Sequence, residues 1–356
     1  MKKTDKSKFN IFFNLKIEHI IVFILSIILI IVIFLSVIKS GANIIAKKDI
    51  LTSDDNYIAY SHEYNKDNVY GEEQTPNMEN YPSEQFEDIP IACWGDELSI
   101  APNNYTPSYA AFLSRNASRI VFNMALENCS AEAMGGRQGG LPIYVMPCDI
   151  PAKKSSVEVV LKNDYTDNLT LNFSKNAGLN PCSINGITGI ISEFDGTLKF
   201  SRDKSGYEEI ILKPTILTTR AMEYRRNDIT IFFLGKDTGY KDISKVINIY
   251  DKMIAYLKTD KYLIMGPIIG DVNTLKKANE ALAQKYGDKF LNLYDYLLNT
   301  APTEYSLSIT SKGNEQIQQG ILPENYLQNA SHFNKLGAEI TGNIVSNKLK
   351  NLKYYD

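Results

Sequence analysis

Ile89-Pro90-Ile91-Ala92-Cys93-Trp94-Gly95-Asp96 is a short apolar run that stops at a glycine and a carboxylate. Near-continuous apolarity over so few residues reads as a strand buried on both faces and ending in a turn. The pattern recurs along the chain. Arg119–Asn123 (RIVFN), Ile229–Leu234 (ITIFFL), Tyr262–Pro267 (YLIMGP) and the short Phe290–Leu293 are further candidates. Helical stretches lie between and after them: Tyr109–Ser114, Ile243–Leu257, Leu275–Tyr286 and Lys335–Leu349. Apolar strands alternating with amphipathic helices predict an α/β fold, a parallel sheet covered by helices on both faces.

One stretch breaks the alternation. Residues 141–222 carry β-like runs at Val157–Leu161, Leu169–Phe173, Ile187–Ile191, Leu198–Phe200 and Glu209–Leu212, punctuated by Gly and Asn. They predict a β-rich insertion within an outer domain of residues 88–356. Residues 41–87 are polar and hold no period, so they read as a stalk.

Ahead of the stalk, Ile20 to Ile38 has no charged residue and only Ser26 and Ser36 as polar interruptions. At 1.5 Å per residue it spans roughly 28 Å, one hydrocarbon core. Five lysines precede it and three follow it. That excess puts residues 1–19 in the cytoplasm and the rest of the chain outside, with residues 20–38 as the contact with the membrane. Ser40-Gly41-Ala42 also fits a cleavage site, so a removed signal peptide stands as the alternative.

The chain has 356 residues with 38 basic and 41 acidic side chains. Residues 1–48 hold eight lysines against Asp5 and Glu18, leaving 30 basic and 39 acidic groups beyond them. An acidic outer portion argues against a nucleic-acid partner, which needs a basic face. Four cysteines, at 93, 129, 148 and 182, are too few for a disulfide scaffold. Cys93 reads as a buried thiol. Cys148 and Cys182 both fall in the insertion and are one candidate pair among three connectivities. No CxxC occurs, which argues against structural zinc.

In open α/β sheets, functional groups gather past the carboxyl ends of the strands. Here those ends are Gly95–Ser99, Asn123–Asn128 and Gly235–Thr238, and Asn329-Ala330-Ser331-His332 precedes the last helix. His332 is one of three histidines, and the others, His19 and His62, lie in the anchor flank and the stalk.

These stretches resemble the SGNH/GDSL hydrolases over about residues 89–350. CWGDELS (Cys93–Ser99) is similar to the family's first block, CWGDSLT. Asn123 through Arg137-Gln138-Gly139-Gly140 is similar to a second block of the form NLGVGGETSxTIxxRQGG. FFLGKDTGY (Phe232–Tyr240) resembles the third block with its G-x-N-(D/N) core. NASHFNKLG (Asn329–Gly337) resembles the last, D-x-x-H-x-N-x-x-G. NPCSINGITG (Asn180–Gly189) also looks like this family. The resemblance implies a three-layer α/β/α SGNH-like fold and ester hydrolysis by a serine, with a histidine as base and an aspartate orienting it. It also implies an oxyanion held by backbone amides and an asparagine side chain.

Matched residue by residue, the implied site is degenerate. Glu97 stands at the nucleophile position. The second block's glycines fall on Ala125, Glu127 and Asn128. Asp237 replaces the oxyanion asparagine, and Asn329 replaces the orienting aspartate. His332 and the structural Asp96 are retained. Ser99 is no substitute: two residues along a helical turn point a side chain about 200° away. Arg137 reads as part of a turn, with a pocket-facing role as the alternative. The 22 tyrosines read as scattered surface residues, with a sugar-stacking face on the insertion as the alternative. No cofactor is implied. Glu97, Asp237 and His332 would nonetheless form a divalent-metal set if they converge, because two carboxylates and an imidazole suit such an ion. The expected function is therefore a membrane-anchored, non-hydrolytic relative that binds a cell-envelope glycan, an acyl-sugar or acylated polymer, or a protein. The alternatives are an esterase and a metal-dependent hydrolase.

Overall fold

The computed structural model describes residues 88–103, 105–165 and 178–356, without the side chains of Asp237 and Thr238. The tail (1–19), the apolar segment (20–38), the stalk (41–87) and the expected strand Leu169–Phe173 lie outside the described residues. Among the described residues no helix is long and apolar enough to cross a membrane.

Among the described residues, five parallel strands form the central sheet: β1 (Ile91–Gly95), β2 (Val121–Asn123), β3 (Ile229–Phe233), β4 (Tyr262–Met265) and β5 (Phe290–Leu291). Their spatial order is β2-β1-β3-β4-β5, with β1 at the point where the winding reverses. Alternation along each strand splits the side chains between two cores. Ile91, Cys93, Ile231 and Phe233 face one side, against helices α1 (Tyr109–Ala117) and α5 (Lys335–Asn351). Ala92, Trp94, Phe232 and Leu234 face the other, against α2 (Ala131–Gln138), α3 (Ile243–Tyr256) and α4 (Val272–Tyr286). The expected three layers are present. The expected elements differ from the observed ones mainly at their ends: β1 begins after Pro90, which has no N–H for a ladder, and α4 starts at Val272 because the Asp271 side chain caps Thr274 N.

Helix α2 departs from the sequence reading. Arg137 and Gln138 close a helix rather than sit in a turn, and Gly139 (φ +103°) caps it in the left-handed region. Two interior glycines, Gly135 and Gly136, hide it from propensity. Gly135 is required by packing, because a Cβ there would lie 2.9 Å from Leu141 Cγ.

The insertion is a barrel. Antiparallel strands pair around it in the order Thr197–Arg202, Ile187–Phe194, Cys182–Ile184, Thr215–Thr218 and Tyr144–Val145. The segment Val157–Lys162 pairs at its start with Phe200 and Lys199 and at its end with Val145 and Tyr144. This one segment thus joins both edges, and among the described residues the sheet closes on itself. The interior is filled by Val145, Val159, Leu161, Ile184, Ile191, Phe200 and Leu217. Gly189 is needed there, since a Cβ would sit 2.6 Å from the Phe200 ring.

The Cys148–Cys182 pair is not formed, and all four cysteines are free thiols. Cys182 is buried within the barrel, whereas Cys148 belongs to a separate two-stranded ladder with Glu209–Ile211. Cys93 is the buried strand thiol expected, and burial pushes it up to about 12.

Candidate functional site

The site grows from the carboxyl ends of β1 and β3, which lie side by side with Gly95 opposite Phe233. A Cβ at Gly95 would come within 2.3 Å of the Phe233 carbonyl oxygen, so only glycine lets the strands stay this close. Immediately after it, Asp96 turns inward. Its Oδ1 accepts from Leu98 N (3.1 Å), and its Oδ2 accepts from Gly235 N (2.8 Å) and Lys236 N (3.1 Å). Asp96 therefore latches the end of β3 onto the Glu97–Ser99 turn. Burial, reinforced by the neighbouring Glu97 charge, pushes its carboxyl up to about 7 against the pull of these three donors.

Glu97 is the centre of the arrangement and is only 4% exposed. Its Oε1 forms an ion pair with Lys236 Nζ. Its Oε2 accepts from Asn128 N at 3.0 Å. Asn128 holds φ +54°, a left-handed backbone that asparagine tolerates better than most residues, and this aims its N–H at the carboxylate. Burial alone would push Glu97 up. The Lys236 ammonium, its own backbone N–H and that of Asn128 outweigh burial and hold the carboxyl below its ordinary value.

The neighbouring loop is tied in by Asn123. Its Nδ2 donates to the Ser99 carbonyl (2.7 Å), and its Oδ1 accepts from Ala125 N (3.2 Å). Ala125 thus spends its N–H within the loop, and Asn128 is the second-block position whose N–H reaches Glu97. Arg137 is wholly buried. It donates to the Met124 carbonyl (2.8 Å) and to Cys129 Sγ (3.2 Å), with its guanidinium 5.3 Å from the Trp94 ring centre. Its position shapes the Met124–Cys129 loop from behind. Ser99 is also completely buried, beneath Gly95 and beside Tyr109, which removes it as a nucleophile.

On the far side, a short hairpin pairs Leu327–Asn329 with His332–Phe333, and its second strand lies against the Glu97–Ser99 turn. Asn329 Oδ1 accepts from Ser331 N (2.8 Å) and His332 N (3.0 Å), which fixes the amide's orientation. The same oxygen lies 3.2 Å from His332 Nδ1. Because an amide oxygen can only accept, Nδ1 is the donor in that contact. Asn329 thus still orients the ring, though as a neutral group it cannot stabilise an imidazolium by charge.

Asp237 opens a 3-10 turn (Asp237–Asp242) just after Lys236, and its side chain lies outside the described residues. Among the described residues no group of three or more His, Cys, Asp and Glu side chains is placed to hold a metal ion. The residue that sequence reasoning overlooked is Lys236. The signal was present: an opposite charge on the adjacent strand end, three residues past Phe233 as Glu97 is two past Gly95.

The chain matches no family profile and no curated protein. It is similar to a solved structure from Desulfitobacterium hafniense DCB-2, assigned there to the G-D-S-L family of lipolytic proteins. The two are 12% identical with a TM-score of 0.39, over 73% of this chain and 99% of that one.

Proposed function

We propose that this chain is a non-hydrolytic relative of the SGNH/GDSL hydrolases. In this reading residues 20–38 hold it in the cell membrane with its N-terminus in the cytoplasm. Its outer domain binds a glycan, an acyl-sugar or a protein partner of the cell envelope. The observation that carries the reading is Glu97. Where the resemblance places a nucleophilic hydroxyl, the chain has a buried carboxylate engaged by Lys236 and Asn128. A carboxylate fixed by a cation cannot begin acyl transfer as an activated hydroxyl does. The order of the five strands and the gathering of Asp96, Glu97 and the His332 hairpin past the sheet's carboxyl edge support the family part of the reading.

The test uses residues 50–356, purified without chelator, and hydrolysis of a small activated acetyl ester, beside His332→Ala and with or without zinc, manganese or calcium. Equal rates for the two proteins under every condition are expected. Hydrolysis that disappears in His332→Ala would overturn the binding reading in favour of an esterase. If that hydrolysis also requires added metal, a hydrolase built on Glu97, Asp237 and His332 takes its place.

A further inference from the structure

We propose that residues 209–213 form a self-complementary sheet edge through which two copies of this chain pair antiparallel. The edge belongs to the ladder of Cys148–Ile150 with Glu209–Ile211. Among the described residues no strand pairs with the other side of Glu209–Ile211, and the backbone of 208–214 makes no hydrogen bond outside that ladder. An open edge presents a row of N–H and C=O groups and is a template for another strand. Alternation gives this edge two faces. Ile211 is buried against the barrel interior, whereas Ile210 is 58% and Leu212 84% exposed on the opposite face. The charges indicate what covers them. Two identical edges related by a two-fold axis keep their inner and outer faces when one residue stands opposite its own copy. With Ile211 opposite Ile211, Glu209 of each copy faces Lys213 of the other, and Ile210 of each faces Leu212 of the other. Centring on Ile210 sets Lys213 against Tyr207, and centring on Leu212 sets it against Ile211, so of these registers only the first pairs the charges. Both groups are available for it. Among the described residues Lys213 forms no ion pair, and Glu209 uses only Oε1, which accepts from Asn185 Nδ2 (2.5 Å). Opposite charges and apolar pairs directly across an antiparallel seam each favour it. A second copy supplies every one of these matches from the same five residues.

The experiment measures self-association of the full-length chain by sedimentation equilibrium in density-matched detergent, as wild type, Glu209→Lys, Lys213→Glu and an equimolar mixture of the two variants. Wild type should form dimers in a concentration-dependent way. Each variant alone sets like charges opposite one another twice, and its association constant should fall by about tenfold or more. The mixture restores both opposite-charge pairs, so it should associate as wild type does. Contacts made through residues 20–38 would not distinguish the variants, and the mixing step therefore isolates the edge. Leu212→Asn, at an exposed position, is a further variant that should weaken association should either charge change disturb folding. A wild-type chain that stays monomeric up to about 100 μM would overturn the proposal and leave the edge to a different protein. A dimer indifferent to all three substitutions would overturn it too, as would a mixture no better associated than its components. The inference is independent of hydrolysis and of ligand binding, so it can fail while the proposed function stands, and the reverse.

Discussion

Exchanging Glu97 for serine would place a hydroxyl where a carboxylate now holds the Lys236 ammonium and the Asn128 N–H, near a histidine whose ring is already oriented. Under the proposed family reading, Glu97→Ser is expected to give hydrolysis of an activated acetyl ester at least about tenfold above wild type, since a single oxyanion donor in such a site is worth about 100- to 1,000-fold. His332→Ala in that background should abolish the gain. A Glu97→Ser chain no faster than wild type would sink the idea that the remaining groups share one reaction centre. The same residues set the pH response. Asp96, raised from 3.8 to about 7, binds its proton more tightly in the folded chain. Its contribution to stability is therefore gained as pH falls from above 7 toward 4 and lost as pH rises through 7. Glu97 is lowered, so its contribution is present above 4.5 and lost as pH falls through its depressed value. Urea midpoints should rise from about pH 8 to about pH 5 and fall below about pH 4. Glu97→Gln should flatten the acid limb and, by deleting the neighbouring charge, bring the upper transition to lower pH. At this scale the blocks that resemble the SGNH/GDSL hydrolases drew attention to Asp96, Glu97, Asn128, Asn329 and His332. Lys236 showed its charge at a strand end, but its role depends on which strand lies next to which, and charge alone does not carry that.

Elements that could be read were those whose burial leaves a local mark. All five sheet strands are apolar runs, since a parallel strand covered on both faces has little place for polar residues. Helix α2 left no such mark: with Gly135, Gly136 and a buried arginine it looks like a loop, and it forms because Gly135 fits against Leu141. Of the barrel, the strands at Val157–Lys162, Ile187–Phe194 and Thr197–Arg202 were legible, whereas the short ones at Tyr144–Val145, Cys182–Ile184 and Thr215–Thr218 were not, nor was the closure, which depends on two ladders made by the one segment Val157–Lys162. Phe200 is the test of that closure. It is completely buried among residues from several strands, so Phe200→Ala should cost about 3–5 kcal/mol in chemical unfolding. A value near that of a surface change would mean the sheet is open. Gly95→Ala should cost about 1–3 kcal/mol by forcing β1 from β3, and it should also disturb the Glu97 turn that follows.

The whole molecule combines a three-layer α/β unit, a barrel inserted between its second and third strands, and an N-terminal region with a very different charge balance. The proposed anchor makes a direct prediction. Full-length chain should stay with membranes through alkaline carbonate extraction, and residues 50–356 should be released. Full-length chain released with the soluble fraction would exclude residues 20–38 as a span. The barrel's ends have a consequence of their own. Its entry strand and its exit strand are neighbours, paired through Tyr144 and Ile216, with Leu217 N donating to the Ile143 carbonyl at 2.8 Å. The polypeptide leaves the α/β unit and comes back at nearly one point. Such a module behaves as a cassette: lengthening, trimming or exchanging what lies between its two ends leaves the host's strand order untouched. Exchange of the barrel between those two ends is therefore expected to leave the Asp96 latch in place.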